Sequence, residues 1–107
     1  MDKNNALLLG QRIKHILQPY YGTKLDGLLL YGSTARNEAF SDSDVDFLVL
    51  LQPPFDYFEE LHKIIELTYP EQLEADNHIS IRPVETDAFK AGTIRLYQNV
   101  LKEGVPV

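Results

Sequence analysis

Residues 31–50, YGSTARNEAFSDSDVDFLVL, decide how the chain folds, because they place a polar segment between two apolar runs. The runs at residues 25–31 (LDGLLLY) and 45–51 (VDFLVLL) are short and continuous, which is typical of strands buried on both faces. Two aspartates, Asp44 and Asp46, stand where the second strand is expected to begin. Charges there are costly unless something compensates them. The polar segment is therefore the first candidate for a functional site.

The two aspartates predict a metal site. Residues two apart on a strand point to the same face of the sheet, so the carboxylates of Asp44 and Asp46 are expected to project together. Like charges that close repel each other, and a hard divalent cation relieves the repulsion. Mg²⁺ prefers oxygen ligands and typically takes one or two carboxylates together with substrate phosphates. The pair is therefore interpreted as a site that can hold Mg²⁺ on a triphosphate.

A phosphate-binding turn is predicted directly after the first strand, at Gly32 and Ser33. Glycine lets the backbone approach a ligand closely, and N–H groups at a turn that enters a helix bind anions. Arg36, three residues after Ser33, is placed to reach the same anion as a bidentate donor. The simpler alternatives are a plain turn and an ion pair of Arg36 with Glu38 or Asp42. Phosphate donors beside a carboxylate pair favour phosphoryl or nucleotidyl transfer.

These residues resemble a known signature. Gly32-Ser33, ten intervening residues and then Asp44-Val45-Asp46 are similar to the G-S-x10-D-x-D signature of the DNA polymerase β-type nucleotidyltransferases. The wider segment GSTARNEAFSDSDVD resembles the minimal nucleotidyltransferase branch, which has G-S-x-A-R-G and S-D-x-D. The resemblance extends over most of the chain.

The resemblance implies a fold, a substrate and a partner. It implies the nucleotidyltransferase fold, ATP as the nucleotide, and Mg²⁺ held by the catalytic pair Asp44 and Asp46. Gly32, Ser33 and Arg36 would bind the nucleotide phosphates. Many small proteins of this kind are similar to antitoxins that pair with a HEPN-domain ribonuclease toxin, in a hetero-oligomer. Some of them neutralise that toxin by transferring AMP to a tyrosine hydroxyl.

The sequence departs from the family pattern at two positions. The glycine that follows the arginine is Asn37 here, and asparagine tolerates a left-handed backbone better than most residues. The third carboxylate of full transferases falls on Ser80, which cannot act as a base. Asp76 and Glu85 are too far along the strand to replace it. The departure predicts slow transfer, or an acid supplied from elsewhere.

Two other functions stay open on the sequence. The chain is alternatively a binding subunit that neutralises its partner by complex formation alone, which the serine at position 80 favours. The third option is nucleotidylation of a small molecule, as in the related aminoglycoside-modifying enzymes. Those enzymes have a second substrate-binding domain, for which 107 residues leave little room.

The rest of the chain predicts an α+β fold in one domain over residues 1–107, with a mixed sheet of three or more strands flanked by helices. Proline residues are expected to end the first two helices, and Phe58, Leu61 and Ile65 are expected to form the buried face of the second. The tail KEGVPV is interpreted as frayed or as a partner contact. The remaining predicted elements are helices over 5–18, 55–69 and from Thr93 to about Lys102, and a third strand over 78–84.

Composition narrows the class of protein. The net charge is −6, and the ten basic residues are scattered along the chain, so direct nucleic-acid binding is disfavoured. No apolar stretch reaches the length of a membrane span, so no membrane association is expected. The absence of cysteine excludes disulfides and thiolate metal sites. We expect a cytoplasmic protein.

Overall fold

A four-stranded mixed sheet forms the centre of the structure, a computed structural model that describes residues 1–107. The elements in chain order are α1 (Lys3–Tyr21), a 3-10 turn (Gly22–Lys24), β1 (Leu25–Tyr31), α2 (Gly32–Ala35), β2 (Val45–Leu51), α3 (Tyr57–Glu74), β3 (Ile79–Glu85), α4 (Thr86–Ala91), α5 (Arg95–Glu103) and β4 (Val105–Pro106). The strand order is β3-β2-β1-β4, with β2 and β3 parallel and the other two pairs antiparallel. The predicted α+β fold is confirmed.

Both faces of the sheet are covered, which explains why β1 and β2 read as continuous apolar runs. On one face, side chains such as Leu30 and Phe47 pack against Ile13 of α1 and Ile64 of α3 in the larger core cluster. On the other face, a smaller cluster lies under α4 and α5, and its members are Tyr31, Leu48, Leu50, Val84, Phe89 and Val100. Complete burial of a side chain such as Phe47 contributes about 1.5–3 kcal/mol.

The strand predictions are accurate, whereas the helix ends are not. β1 and β2 have the predicted bounds, and β3 is displaced by one residue. The expectation that prolines end the helices is wrong, because Pro19 and Pro70 lie inside α1 and α3. Beyond Pro70, an ion pair of 3.1 Å between Arg12 and Glu71 ties the last turns of α3 to α1. Packing of α3 against α1 and β3 offsets the loss of one helical hydrogen bond at Pro70, and the partly exposed ion pair adds little to it. No helix is both long and apolar enough to cross a bilayer.

The predicted buried face of α3 is rotated away from the true one. Ile64 and Thr68 are fully buried, whereas Phe58 and Ile65 are 77% and 42% exposed. The Thr68 hydroxyl donates to the carbonyl of Ile64 at 2.7 Å, so a polar side chain is satisfied within the helix and can enter the core. When apolar residues lie on two sides of a helix, the sequence pattern alone does not predict which side is buried.

The C-terminal residues are ordered against the sheet. β4 pairs with Leu29 and Leu30 of β1, and the N–H of Val107 donates to the carbonyl of Leu28 at 2.9 Å. The ammonium of Lys14 on α1 donates to the carbonyl of Val107, also at 2.9 Å. The expectation of a frayed tail is therefore wrong, whereas the alternative of a partner contact stays a prediction.

Candidate functional site

The two aspartates lie at the start of β2, on the sheet face that α1 and α3 do not cover. Asp46 is the second residue of the strand, and Asp44 is the residue immediately before the strand begins. Strand alternation puts Asp46 on the side of Leu48, which belongs to the smaller core cluster under α4 and α5. The side chain of Asp44 is 60% exposed, whereas Asp46 is half-buried. The site is thus open at one carboxylate and partly desolvated at the other.

Gly32 makes the closest approach to the Asp46 carboxylate. Its φ of +75° lies in the left-handed region, which favours glycine. A Cβ atom built on Gly32 would lie 2.5 Å from Oδ2 of Asp46, closer than real Cβ atoms approach other atoms, so the carboxylate would have to move. The backbone angle and the position of the carboxylate both favour glycine here. The turn after β1 and the carboxylate of β2 are therefore fitted to each other, and they form one site.

The local charges destabilise the ionised form of Asp46. Burial raises the pKa of this carboxyl above its usual value, and the negative charge of Asp44 raises it further. The positive charges of Arg82, His78 and Arg36 act in the opposite direction but do not cancel these effects. A half-buried carboxylate beside a second acid is an arrangement that a bound cation would stabilise.

The segment that leads into Asp44 is held by Asn77 and His78. The side-chain amide of the buried Asn77 donates to the carbonyls of Ser41 and Ser43 at 2.7 and 2.9 Å. Nδ1 of His78 lies 3.6 Å from Oδ1 of Asp44, on the solvent side of the site. Neither role is visible in the sequence, since one asparagine and one histidine before a strand carry no pattern.

The predicted phosphate-binding residues lie on the short helix α2. This helix begins at Gly32, where the turn is predicted, and Tyr31 precedes it as the N-cap residue. Arg36 follows the helix, and its guanidinium donates to Glu38 at 3.0 Å and to Glu103 at 3.1 Å. Of the two ion pairs given as the simpler alternative for Arg36, the structure forms the one with Glu38.

Ser80 lies beside Asp46, at the place where the third carboxylate was expected. Asp46 and Ser80 are register partners in the parallel β2–β3 pair, so their side chains share a face. The structure contains no group of three or more acids, histidines or cysteines that could hold a metal ion. The donor set is therefore two hard oxygen ligands, which fits one Mg²⁺ that keeps water and phosphate ligands.

Arg82 is a charged residue of this face that the sequence analysis missed. It lies two residues after Ser80, and its guanidinium donates to the hydroxyl of Tyr31 at 3.1 Å. Burial raises the pKa of Tyr31, and the charge of Arg82 opposes that increase. Residues two apart on a strand share a face, so the assignment of Ser80 to the site would have been enough to place Arg82 on the same face of β3.

The site is an open face rather than a deep pocket. The two largest cavities, of about 640 and 510 Å³, lie elsewhere and are lined mainly by residues of α1 and α3 and their flanking loops. An open site is accessible to a hydroxyl on the surface of another macromolecule, whereas small-molecule sites are usually concave.

Comparison with known proteins agrees with this geometry. The profile of the nucleotidyltransferase domain matches residues 11–99, and the chain belongs to this family. A search among proteins of curated function finds no significant match.

Solved structures share the fold at low sequence identity. A candidate nucleotidyltransferase from Sulfolobus solfataricus is 14% identical, with a TM-score of 0.68 over 97% of this chain and 80% of that one. A candidate minimal nucleotidyltransferase is 23% identical, with a TM-score of 0.61 over 100% of this chain and 97% of that one. A toxin-antitoxin structure with AMP-PNP is 21% identical, with a TM-score of 0.56 over 91% of this chain and 70% of that one. These similarities confirm the nucleotidyltransferase fold.

The raised pKa of Asp46 predicts a stability gain on neutralisation. A raised carboxyl pKa means that this group stabilises the fold most at acid pH, and that the contribution is lost as the pH rises through the raised pKa. We expect Asp46→Asn to unfold at a higher urea concentration than the wild type at neutral pH, because the variant removes the uncompensated charge. The gain should disappear below about pH 3.9, the ordinary aspartate value.

The matched control is Asp42→Asn, which neutralises an exposed loop carboxylate two residues before Asp44. Its stability should equal that of the wild type at both pH values. If Asp46→Asn were less stable than the wild type at neutral pH, the assignment of Asp46 as an uncompensated charge would be wrong.

Proposed function

We propose that this chain is a minimal nucleotidyltransferase antitoxin that binds Mg²⁺-ATP and transfers AMP to a tyrosine hydroxyl of a partner HEPN-domain ribonuclease toxin. The observation that carries the proposal is the close fit of the Asp46 carboxylate against the Gly32 turn. That fit joins a metal-binding pair to a phosphate-binding turn. Family membership and a related fold solved with AMP-PNP support the nucleotide, and the toxin-antitoxin context supports the partner.

The carboxylates of Asp44 and Asp46 would hold Mg²⁺ through oxygen ligands. When bound, the ion neutralises charge on the triphosphate. The other contributions come from the chain. Backbone N–H groups at Gly32 and Ser33 would bind the β- and γ-phosphates, because N–H groups in a first helical turn have no partner within the helix. The hydroxyl of Ser33 donates one more hydrogen bond.

Arg36 stabilises the phosphates only after it leaves its present partners. Its ion pairs with Glu38 and Glu103 are partly exposed to solvent. Exposed pairs of this kind contribute about 0–1 kcal/mol, so a polyphosphate competes with them easily. Arg82 carries the second positive charge near Asp46 and remains on this face through its hydrogen bond to Tyr31.

The transfer step forms one bond and breaks one. The tyrosine oxygen of the partner attacks the α-phosphorus of ATP in line, and the bond from that phosphorus to the bridging oxygen of pyrophosphate breaks. Pyrophosphate leaves, AMP remains on the tyrosine, and the hydroxyl proton goes to solvent, since Ser80 cannot accept it. The absence of a base at Ser80 makes the proton transfer slow.

Transfer of labelled AMP tests the proposal. We expect the purified chain, incubated with Mg²⁺, α-labelled ATP and a lysate of its source cells, to label one protein on a tyrosine. Labelling should fall on the order of 100-fold or more in Asp44→Asn/Asp46→Asn, because the metal site is lost. Gel autoradiography and mass spectrometry measure the label and its position.

Asp42→Asn serves as the control, since it removes a neighbouring carboxylate from the loop without touching the pair. It should label at the wild-type rate. Equal labelling by the wild type and the double variant would mean that the carboxylate pair does not carry transfer.

Ser80 favours a second candidate function. A chain that lacks the third carboxylate is alternatively a binding antitoxin, in which nucleotide binding is retained and the partner is neutralised by complex formation alone. The position of Ser80 beside Asp46 supports this alternative, because no other carboxylate joins the pair.

Restoring the acid distinguishes the two candidates. Ser80→Asp places a carboxylate beside Asp46 on the same sheet face, and we expect AMP transfer to rise about 100-fold or more, as positioned general bases commonly provide. Ser80→Asn has the same shape without the charge and should not raise the rate. If wild type and Ser80→Asp both fail to transfer AMP while still protecting cells from the toxin, the binding antitoxin is the correct function.

A further inference from the structure

The outer side of α3 exposes a row of large apolar side chains, which we call the α3 stripe. Its members Phe58, Ile65, Tyr69 and Leu73 are 77%, 42%, 54% and 66% exposed. Their spacing of seven, four and four residues puts them on one side of the helix. The exposed His62 lies on the same side between Phe58 and Ile65, so the α3 stripe is apolar except at that position. Single exposed apolar residues are ordinary on a protein surface, but four on one side of one helix are typical of an interaction site.

The α3 stripe faces away from the rest of the chain. The neighbouring helix α1 contacts the opposite flank of α3, where Tyr21 donates to Glu60 at 3.0 Å and Arg12 donates to Glu71 at 3.1 Å. At 100° per residue, Glu60 and Glu71 lie about half a turn around the helix from the stripe. On the other flank, α3 packs over β3, which is the edge strand of the sheet. No other element of the chain lies beyond that edge.

Carboxylates border the α3 stripe on its solvent side. Glu59 and Glu66 are seven residues apart and follow Phe58 and Ile65 directly. The one cation nearby is Lys63, whose ammonium already lies 3.7 Å from Glu66 and 5.4 Å from the ring centre of Tyr20. The border is therefore acidic, on a chain whose net charge is −6.

The acidic border disfavours a second copy of this chain as the occupant. Two copies of α3 packed antiparallel around Ile65 would bring Glu66 close to Glu66 of the second copy. Like charges facing each other across an interface cost binding free energy, and they are a common device against wrong partners. A helix with basic residues on its borders has the complementary charge.

We propose that the α3 stripe is the docking surface for an amphipathic helix of a partner protein, whose own apolar stripe is bordered by lysine or arginine. Phe58 and Leu73 are fifteen residues apart, or about 22 Å along the helix, which is enough for four turns of a partner helix. The inference goes beyond nucleotide transfer, because the stripe and Asp46 lie on opposite faces of the sheet. A partner held by α3 leaves the carboxylate pair open.

Peptide binding tests the docking surface. The probe is a labelled, helix-stapled twenty-residue peptide with leucines at helical spacing and lysine or arginine along the border that would face Glu59 and Glu66. We expect fluorescence anisotropy to show saturable binding to the full chain. Binding should weaken at least about tenfold in Phe58→Ser/Leu73→Ser, because the variant removes the two most exposed apolar side chains of the stripe. A peptide with the same leucines and glutamate borders should bind at least about tenfold more weakly than the basic one.

Two further variants separate the surface from general stickiness. Leu101→Ser removes an apolar side chain that is 50% exposed on α5, and it should leave peptide binding unchanged. Glu59→Lys/Glu66→Lys should reverse the preference, so that the glutamate-bordered peptide binds more tightly. Circular dichroism checks that the variants keep the wild-type fold. We expect them to keep it, because the substituted side chains are exposed.

Three outcomes would overturn the docking surface. The first is that the basic peptide does not bind. The second is that both peptides bind with equal affinity, or that the Phe58→Ser/Leu73→Ser variant binds the basic peptide as tightly as the wild type does. The third is self-association in sedimentation velocity that is lost in that variant, because it would identify a second copy as the occupant. None of these readouts depends on AMP transfer, so failure here and failure of the proposed activity are distinguishable.

Discussion

The close approach of the Asp46 carboxylate to Gly32 is the constraint on which the candidate site depends. A carboxylate at the start of a buried strand loses part of its hydration, and the neighbouring Asp44 adds repulsion. The costly charge lies against Gly32 of the preceding turn, where a Cβ atom would meet the carboxylate. A destabilised charge against a glycine turn contributes nothing to the core, and this supports the proposal that a ligand binds both the carboxylate and the turn.

The sheet register fixes what surrounds that constraint. The antiparallel pairing of β1 and β2 puts Tyr31 opposite Asp46, and the parallel pairing of β2 and β3 puts Ser80 on its other side. Two residues further along β3, Arg82 reaches back to the hydroxyl of Tyr31. The site therefore has two acids and a nearby arginine. The family pattern of full transferases has three acids. This charge balance is compatible with the proposed single Mg²⁺ and with the slow transfer that the proposal expects.

Local patterns predicted the strands and the site segment, but not the elements that depend on tertiary contacts. Continuous apolar runs give the bounds of β1 and β2, and the spacing of Gly32 to Asp46 indicates the family that the profile match then shows. Pro70 was a poor guide to the end of α3, because contacts with α1 hold the helix beyond it. β4 has two residues, too few for any periodicity. Arg82 carries no motif, so only the register reveals its place.

Metal-dependent nucleotide binding tests the central claim most directly. Isothermal titration of ATP into the chain, with Mg²⁺ and then with EDTA, separates the phosphate turn from the carboxylate pair. The account predicts binding with Mg²⁺ that weakens at least about tenfold in EDTA and to the same extent in Asp46→Asn, as expected when a metal bridge is lost. Equal affinity in all three conditions, or no binding of ATP at all, would contradict the claim that Asp44, Asp46 and the Gly32 turn form one metal-nucleotide site.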